Sequence, residues 1–279
     1  MLSPNKINEQ RAALGFSSQA VHFDELYNSN TIIQFKRQQV RKHVSLYLDP
    51  GSSILELNAG TGDDAIWFAR QGHHVHATDI AAGMQEMLTQ KVKAAGLEDL
   101  ITIELRSFTE LENLDHKGPF DYIFSNFAGL NCTGELDKVL SSLSILLKPG
   151  GVVTLVVLPK FCLWETLLLF KGKYKTATRR FFARNGKSAR VEGHYFKCWY
   201  YNPSYISKNL RNDFEVLNIE GLCSLVPPSY IEGFAEKHPR LYTTLINLEE
   251  QLKSRWPWRA IGDYYIMSLR KKNCVKNLT

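Results

Sequence analysis

The sequence contains no apolar run of the 18–20 residues, roughly, that a membrane-spanning helix needs. It begins without the apolar stretch of a secretory signal, which predicts a cytoplasmic protein. No Cys-x-x-Cys spacing occurs, so we expect reduced thiols and no zinc site. The cysteines are five in number and scattered: Cys132, Cys162, Cys198, Cys223 and Cys274.

The composition is that of a globular protein. The 279 residues are 44% hydrophobic and 22% charged, which is close to ordinary usage. This length is enough for one large domain or two small ones, each with a sizeable core. A small scaffold held together by disulfides is therefore excluded.

The positive charge is concentrated in one segment. The chain carries a net charge of +6, yet residues 171–197 contain nine Lys or Arg and one acid, Glu192, so the remainder is slightly negative. Such a run is typical of a solvated face. It also suits contact with an anionic substrate, a membrane surface or nucleic acid.

Short apolar segments alternate with amphipathic ones from Ser52 onward. This alternation predicts a three-layer α/β fold with a mainly parallel sheet. The predicted helices are Asp63–Gln71, Gly83–Ala95, Glu135–Leu147, Ser204–Leu210 and one through Leu241–Leu252. The predicted strands are Ser53–Leu57, His74–Thr78, Ile101–Leu105, Tyr122–Ser125, Val152–Leu158, Phe214–Gly221 and Asp263–Arg270.

The pattern also divides the chain. Residues 1–50 are predicted to form a helical cap, with Thr31–Leu48 as its clearest helix. The alternation stops after the fifth strand, so residues 161–203 are predicted to be an insertion that forms a lid over the substrate. The core is then expected to comprise residues 51–160 and 204–279.

The segment with the clearest functional pattern is Ile54–Ala65, ILELNAGTGDDA, a strand that runs into a glycine-containing turn and a helix. Open α/β sheets bind ligands at the carboxyl ends of their strands, where small residues allow close approach. Asp79 ends the next strand, 17 residues after Gly62, where a carboxylate can accept hydrogen bonds from a ribose diol. Together these features predict an adenosine-containing ligand.

The acids beside this turn favour one class of cofactor. A dinucleotide places its pyrophosphate against the helix N-terminus, and Ala65 is permitted at the third glycine position. However, Glu56, Asp63 and Asp64 would repel a pyrophosphate, whereas they would attract a cofactor that carries a sulfonium and an amine.

Four motifs in register resemble those of class I S-adenosylmethionine-dependent methyltransferases of the small-molecule type. They are ELNAGTG at 56–62, ATDIAAGM at 77–84, FDYIFSN at 120–126 and LKPGG at 147–151. The resemblance covers about residues 20–160. It implies a Rossmann-like methyltransferase fold with a seven-stranded sheet, S-adenosyl-L-methionine as cofactor, S-adenosyl-L-homocysteine as product, and no metal.

The same resemblance implies a set of cofactor-binding residues. Glu56 would act through the amino-acid end of the cofactor, Asp79 would hold the ribose hydroxyls, and Asn126 would lie near the transferring methyl. The full set is Tyr27, Arg37, Glu56, Asn58, Ala59, Gly60, Gly62, Asp79, Ile80, Met84, Ser107, Phe108, Asn126 and Phe127.

Two positions depart from the family's pattern. Asn58 stands where relatives usually have Gly, but Asn tolerates positive φ. Ser107 stands where relatives often place an Asp for the adenine amino group, which would weaken one hydrogen bond. A protein that binds the cofactor without catalysis is therefore an alternative.

Methyl transfer from a sulfonium is an in-line displacement, in which positioning supplies most of the acceleration. The candidates for assisting deprotonation are His194, Tyr195 and Tyr200, although a structural or surface role also fits His194. The apolar segment Phe161–Phe170 packs on the core or on a dimer partner, or it lines an acceptor pocket with a cationic rim.

A pocket of this kind predicts a small amphipathic or anionic acceptor, free or bound to a carrier, and a monomer or homodimer. Nucleic acid methylation through the basic 171–197 segment is a disfavoured alternative, because no appended RNA-binding module is visible.

Overall fold

The computed structural model describes residues 2–273. Cys274 and the end of the predicted core segment lie outside the described residues. Within the described part, ten α-helices form: α1 (Pro4–Asn28), α2 (Thr31–Val44), α3 (Asp63–Arg70), α4 (Ala82–Ala95), α5 (Leu136–Leu146), α6 (Leu163–Leu167), α7 (Tyr174–Ala177), α8 (Pro203–Leu210), α9 (Phe234–Lys237) and α10 (Pro239–Leu252).

Nine strands form in the same described part. They are β1 (Ser53–Leu57), β2 (His74–Asp79), β3 (Ile101–Leu105), β4 (Phe120–Ser125), β5 (Leu147–Val157), β6 (Lys187–Val191), β7 (His194–Cys198), β8 (Phe214–Leu222) and β9 (Tyr264–Lys271). Four 3-10 segments join them: Phe108–Asn113, Gly129–Cys132, Leu168–Lys171 and Trp258–Ala260.

Seven of these strands form one sheet in the order β3-β2-β1-β4-β5-β9-β8. Neighbours from β3 to β5 pair in parallel, whereas β9 runs antiparallel to both β5 and β8. In the register, Leu57 pairs with Thr78 of β2 and with Ser125 of β4. The carboxyl ends of β1, β2 and β4 therefore lie side by side, and the predicted three-layer α/β fold is confirmed.

Each face of the sheet is covered by apolar side chains, which explains why the central strands are nearly continuous apolar runs. On one face Leu55 and Leu57 pack with residues of α5 and α8. On the other face Ile54 packs with residues of α2, α3 and α4, and Phe68 is among the largest fully buried side chains there. This arrangement fixes the strand ends that build the site.

Some predicted boundaries were wrong. The helix predicted over Thr31–Leu48 ends at Val44, because the chain tightens into i,i+3 hydrogen bonds, such as Leu46 N–H to His43 O at 3.2 Å. The strand predicted to begin at Val152 begins at Leu147, opposite Phe120, so the LKPGG motif at 147–151 lies inside β5. A register shift before Tyr122 accommodates these extra residues.

The insertion contains an unpredicted hairpin, β6–β7. Its turn residues Glu192 and Gly193 have φ values of 45° and 81°, which is the pattern of a type I′ turn. The sequence signal, a glycine between two segments of alternating character, was present but was interpreted as part of a solvated basic run.

Helix α1 packs closely between α4 and this hairpin. A Cβ on Gly83 of α4 would lie 2.5 Å from the carbonyl oxygen of Ser17, and one on Gly15 would lie 3.0 Å from that of Val191. Phe16 packs on Phe196 of β7 with ring centroids 5.8 Å apart. The cap helix is thus held over the carboxyl edge of the sheet.

Candidate active site

A cleft of about 880 Å³, with its mouth included, opens at the carboxyl ends of β1, β2 and β4 beneath α1. The cleft is lined by Glu9, Ala12, Ala13, Phe16, Phe23, Arg37, Glu56, Asn58, Ala59, Gly60, Thr61, Asp63, Asp64, Asp79, Ile80, Ala81, Met84, Phe108, Asn126, Phe127, Gly129 and Cys132.

The turn after β1 forms the floor of the cleft. Asn58 adopts a φ of 49°, and Gly60 and Gly62 have φ values of 57° and 84°. The Asn58 amide donates to the carbonyl of Asn126 at 2.9 Å and accepts from Ser125 Oγ at 2.6 Å. These bonds hold Asn58 in its left-handed conformation, so the turn keeps its shape without the glycine that relatives have there.

Asp79 is half-buried at the end of β2, and backbone donors fix both of its oxygens. Oδ2 accepts from the N–H of Gly60 at 2.9 Å, and Oδ1 accepts from the N–H of Ala81 at 2.8 Å. Burial raises the pKa of Asp79 although these backbone bonds oppose the rise. Each carboxylate oxygen can accept a further hydrogen bond, which suits a diol.

Glu56 is a buried carboxylate whose Oε2 has no hydrogen-bond partner among residues 2–273. Burial, reinforced by the negative charge of Asp64, raises the pKa of Glu56 well above its ordinary value. A buried acceptor without a donor costs about 1–3 kcal/mol. A cationic or N–H-bearing ligand would remove that cost.

Neighbouring cations balance only part of the cleft's negative charge. Arg37 pairs with Asp63, which also accepts from Lys91 at 2.5 Å. Asp64 accepts from Arg41 at 3.0 Å and from the Asn126 amide at 2.7 Å. Among the lining residues, five acids face a single basic side chain, that of Arg37. The cleft therefore favours a ligand with positive charge.

Part of the cleft lining is apolar. Ile80, Met84 and Phe108, together with Ala12 and Ala13 of α1, form this part, called here the apolar slot. Met84 and Phe108 are buried. The cleft thus combines several acids, among them the fixed carboxylate of Asp79, with an apolar slot.

Most of the predicted cofactor residues line this cleft, and three do not. Tyr27 stacks on the lining residue Phe23 with centroids 4.2 Å apart. Gly62 is the N-cap residue of α3. Ser107 does not line the cleft itself, but its hydroxyl donates to Glu9 Oε2 at 2.8 Å. The roles of all fourteen residues remain predictions. Those that line the cleft are Arg37, Glu56, Asn58, Ala59, Gly60, Asp79, Ile80, Met84, Phe108, Asn126 and Phe127.

The predicted catalytic candidates lie outside the cleft lining. His194 and Tyr195 are on β7, where the exposed Tyr195 ring lies 5.4 Å from the Arg190 guanidinium. Tyr200 is buried against Arg180, and burial raises its pKa to about 12. Their catalytic roles remain predictions, and a phenol with this pKa is protonated at neutral pH.

Sequence reasoning missed the contribution of α1. Glu9, Ala12 and Phe16 line the cleft, although they lie far along the chain from the motifs. A usable signal was a stripe of small or short residues at helical spacing in an otherwise polar helix. The buried positions of that helix are Asn8, Glu9, Ala12, Gly15 and Ala20.

One group of metal-ligand residue types, Cys162, Glu165 and Asp263, comes together beneath the insertion. Lys36 reaches Asp263 at 2.9 Å, and Arg180 reaches Asp263 at 2.8 Å and Glu165 at 2.6 Å. These cations already occupy the carboxylate oxygens, and burial raises the pKa of the Cys162 thiol to about 11. The group is therefore suited to ion pairing rather than to holding a metal.

Two further observations concern membrane-spanning helices and cysteines. Within residues 2–273, no helix combines the length and the apolar character needed to cross a membrane. The thiols of the described cysteines are all free.

Known proteins resemble this chain over the part that contains β1 to β4 and the turn after β1. The model of the methyltransferase domain family matches residues 54–151. A demethylmenaquinone methyltransferase of Symbiobacterium thermophilum is 30% identical over 140 residues, which are 49% of this chain and 54% of that protein. A dimethylglycine N-methyltransferase of Parasynechococcus marenigrum is 35% identical over 105 residues, which are 37% and 36%.

The chain spans about half the length of the first curated relatives that it matches, whereas solved structures match it more fully. The 1,6-didemethyltoxoflavin-N1-methyltransferase of Burkholderia thailandensis superposes with a TM-score of 0.58 at 15% identity, covering 98% of this chain and 92% of its own. An S-adenosylmethionine dependent methyltransferase from Mesorhizobium loti superposes with a TM-score of 0.52 at 16% identity, covering 82% and 96%. These structures show the shared fold. In sequence, residues 54–151 therefore resemble a methyltransferase domain, and the chain has the fold of solved S-adenosylmethionine-dependent methyltransferases.

Proposed function

We propose that the protein transfers a methyl group from S-adenosylmethionine to a small organic acceptor. The observation that carries this proposal is the acid-rich cleft, in which the buried Glu56 keeps an acceptor oxygen without a donor next to the fixed carboxylate of Asp79. A ligand with a cationic end, a diol and an apolar base has the matching sequence of groups. The match of residues 54–151 to the methyltransferase domain family supports the same cofactor.

The chemistry of the lining residues suggests which of them hold which part of the cofactor. Asp79 would accept from the ribose hydroxyls. Glu56 would face the positively charged amino-acid end, and Ala59 and Gly60 would allow close approach of that end to the backbone. The base would enter the apolar slot at Ile80, Met84 and Phe108.

The bound cofactor would supply an electrophilic methyl on a positively charged sulfur, which becomes a neutral thioether when the methyl leaves. The protein's part is then to hold both reactants in line and to exclude water. Asn126 is fixed for this task by its bond to Asp64 at 2.7 Å, and Phe127 follows it in a left-handed conformation. Helix α1 closes the cleft from above.

The remaining lining suggests the character of the acceptor. Phe16, Phe23 and Phe127 face the cleft together with Gly129, so the acceptor is proposed to be a small molecule with an apolar or aromatic body. No histidine is found among the described lining residues. We therefore propose that the protein acts by positioning the two reactants and not through proton abstraction by an imidazole. The anionic group predicted on the acceptor from the basic segment remains a prediction.

The test is isothermal titration of the protein with S-adenosylhomocysteine, with NAD and NADP as controls. We expect the homocysteine product to bind, and Asp79→Ala to weaken its affinity about tenfold or more, near the value of one well-made charged hydrogen bond. Asp79→Asn keeps the shape of the turn and should show a smaller loss. The exposed Asp49 provides a matched control, Asp49→Ala, which should bind as the wild type does.

Failure of S-adenosylhomocysteine to bind, or preferential binding of a nicotinamide nucleotide, would overturn the proposal. Equal weakening by Asp49→Ala would show that the effect is one of general charge rather than of the carboxylate at the end of β2.

A further inference from the structure

Glu9 of α1 lines the cleft and is a second buried carboxylate with an oxygen that has no donor in the described part of the chain. Its side chain is 4% exposed. Oε2 accepts from Ser107 Oγ and from Thr109 Oγ1, each at 2.8 Å. Oε1 has no hydrogen-bond partner in the described part of the chain, although Glu9 lines the cleft.

The surroundings of Glu9 set what kind of ligand would satisfy it. A buried carboxylate oxygen accepts only, so its partner must be an N–H or O–H donor. Glu9 lines the same cleft as Met84 and Phe108, and its donors Ser107 and Thr109 flank Phe108 in the chain. The ligand part that reaches Glu9 beside Phe108 must carry a hydrogen-bond donor on an otherwise largely apolar edge.

This inference rests on the proposed function, since it concerns the base of the proposed cofactor. Adenine carries N–H donors on its outer edge only at the 6-amino group. We propose that Glu9 Oε1 accepts a hydrogen bond from that amino group, so that α1 recognises the base. Ser107 and Thr109 act as positioning residues, because their hydroxyls are used to orient the Glu9 carboxylate.

The placement explains the departure at Ser107. Ser107 has no carboxylate to offer the base. Its hydroxyl instead supports the carboxylate of Glu9, which comes from α1. The neighbouring Asn8 anchors that element by donating to the carbonyl of Cys132 at 2.8 Å and accepting from the N–H of Lys197 at 2.6 Å. The helix that covers the cleft would therefore also recognise adenine.

The experiment compares three ligands by isothermal titration: S-adenosylhomocysteine, its analogue with oxygen at position 6, and its analogue with hydrogen there. The wild type should bind the amino form at least about tenfold more tightly than the hydrogen form, as expected for a charge-assisted bond. The oxygen form should bind more weakly still, because its carbonyl would face a carboxylate.

In Glu9→Leu, the affinities for the three ligands should agree within about twofold, because the acceptor is gone. Glu25 lies on the exposed side of the same helix, so Glu25→Leu is the matched control and should keep the wild-type ratios. If Glu9→Leu does not fold, Glu9→Gln serves instead. Its neutral oxygen accepts a weaker bond, so the ratio of amino to hydrogen form should fall about threefold or more.

The outcomes separate this inference from the proposed function. If the wild type binds none of the three ligands, the proposed function fails. If the wild type binds all three equally, or a folded Glu9 variant keeps the wild-type ratios, the cofactor assignment stands and the role of Glu9 is wrong.

Discussion

Buried acids in two parts of this molecule differ in how fully cations pair with them. The cleft acids Glu56, Asp63, Asp64 and Asp79 lie in β1, in the first turn of α3 and at the end of β2, and among them Glu56 Oε2 has no donor within residues 2–273. The insertion acids are Glu165 in α6 and Asp263 directly before β9. Lys36, Arg179 and Arg180 provide donors for both of these carboxylates.

The pKa directions express the same difference. Burial alone would raise the pKa of Asp263, but Lys36 and Arg180 bring it below its ordinary value. Burial also raises the pKa of Glu56, and there the neighbouring Asp64 raises it further. A buried acid with its cations in place holds the fold together, whereas one surrounded by other acids is prepared for a ligand.

The largest effect should come from breaking the insertion acids. Asp263→Asn would leave the buried Lys36 and Arg180 without their shared countercharge, and we expect a loss of about 3–5 kcal/mol in the free energy of unfolding. Urea unfolding followed by circular dichroism measures it. Asp115→Asn, on a side chain that is 87% exposed, is the control. A loss below about 1 kcal/mol would show that the ion pairs do not hold the insertion.

The cleft acids should respond in the opposite direction. Glu56→Gln removes an acid that burial and the nearby Asp64 destabilise and that Arg41 compensates only in part, so the ligand-free protein should become more stable at neutral pH by roughly 1–3 kcal/mol. Because the folded-state pKa of Glu56 is raised, its contribution is fully present below its ordinary value of 4.5 and is lost as the pH rises through the raised value.

The two acids therefore predict opposite pH dependence. The advantage of Glu56→Gln over the wild type should grow as the pH rises from about 4 to 8 in unfolding measurements. The contribution of Asp263 is present above its ordinary value of 3.8 and is lost as the pH falls through its lowered folded-state value. A Glu56→Gln advantage that is constant with pH would contradict the assignment.

The smallest effect should come from the exposed member of the insertion cluster. The Arg179 side chain is 44% exposed, and Glu165 keeps its bond to Arg180 when Arg179 is removed. Arg179→Ala should therefore cost less than about 1 kcal/mol in the same urea experiment. Arg180→Ala, which removes the buried partner, should cost several times more. Equal losses would mean that burial does not decide the value of these pairs.

The sequence was informative where the determinants are local. The strand Ser53–Leu57 was predicted in full because an apolar run between turn residues is sufficient evidence. Asn58, Gly60 and Asp79 were predicted to share a site because parallel strands bring their carboxyl ends to one edge.

The rest depends on contacts between distant parts of the chain. Glu9 meets Ser107 across 98 positions, and Arg180 meets Asp263 across 83. Such pairs leave no periodic or spacing signal. A basic run looks the same in the sequence whether one of its arginines is buried in an ion pair or all of them are solvated.

The decisive measurement is isothermal titration with S-adenosylmethionine at several pH values between the ordinary pKa of Glu56 and neutrality, in two buffers of different ionisation enthalpy, which counts the protons exchanged on binding. Because a cationic ligand lowers the raised pKa of Glu56, we predict binding with proton release within this range, and less release in Glu56→Gln. Absence of binding, or binding with the same proton count in both proteins, would contradict the claim that the cleft acids are prepared for a cationic cofactor.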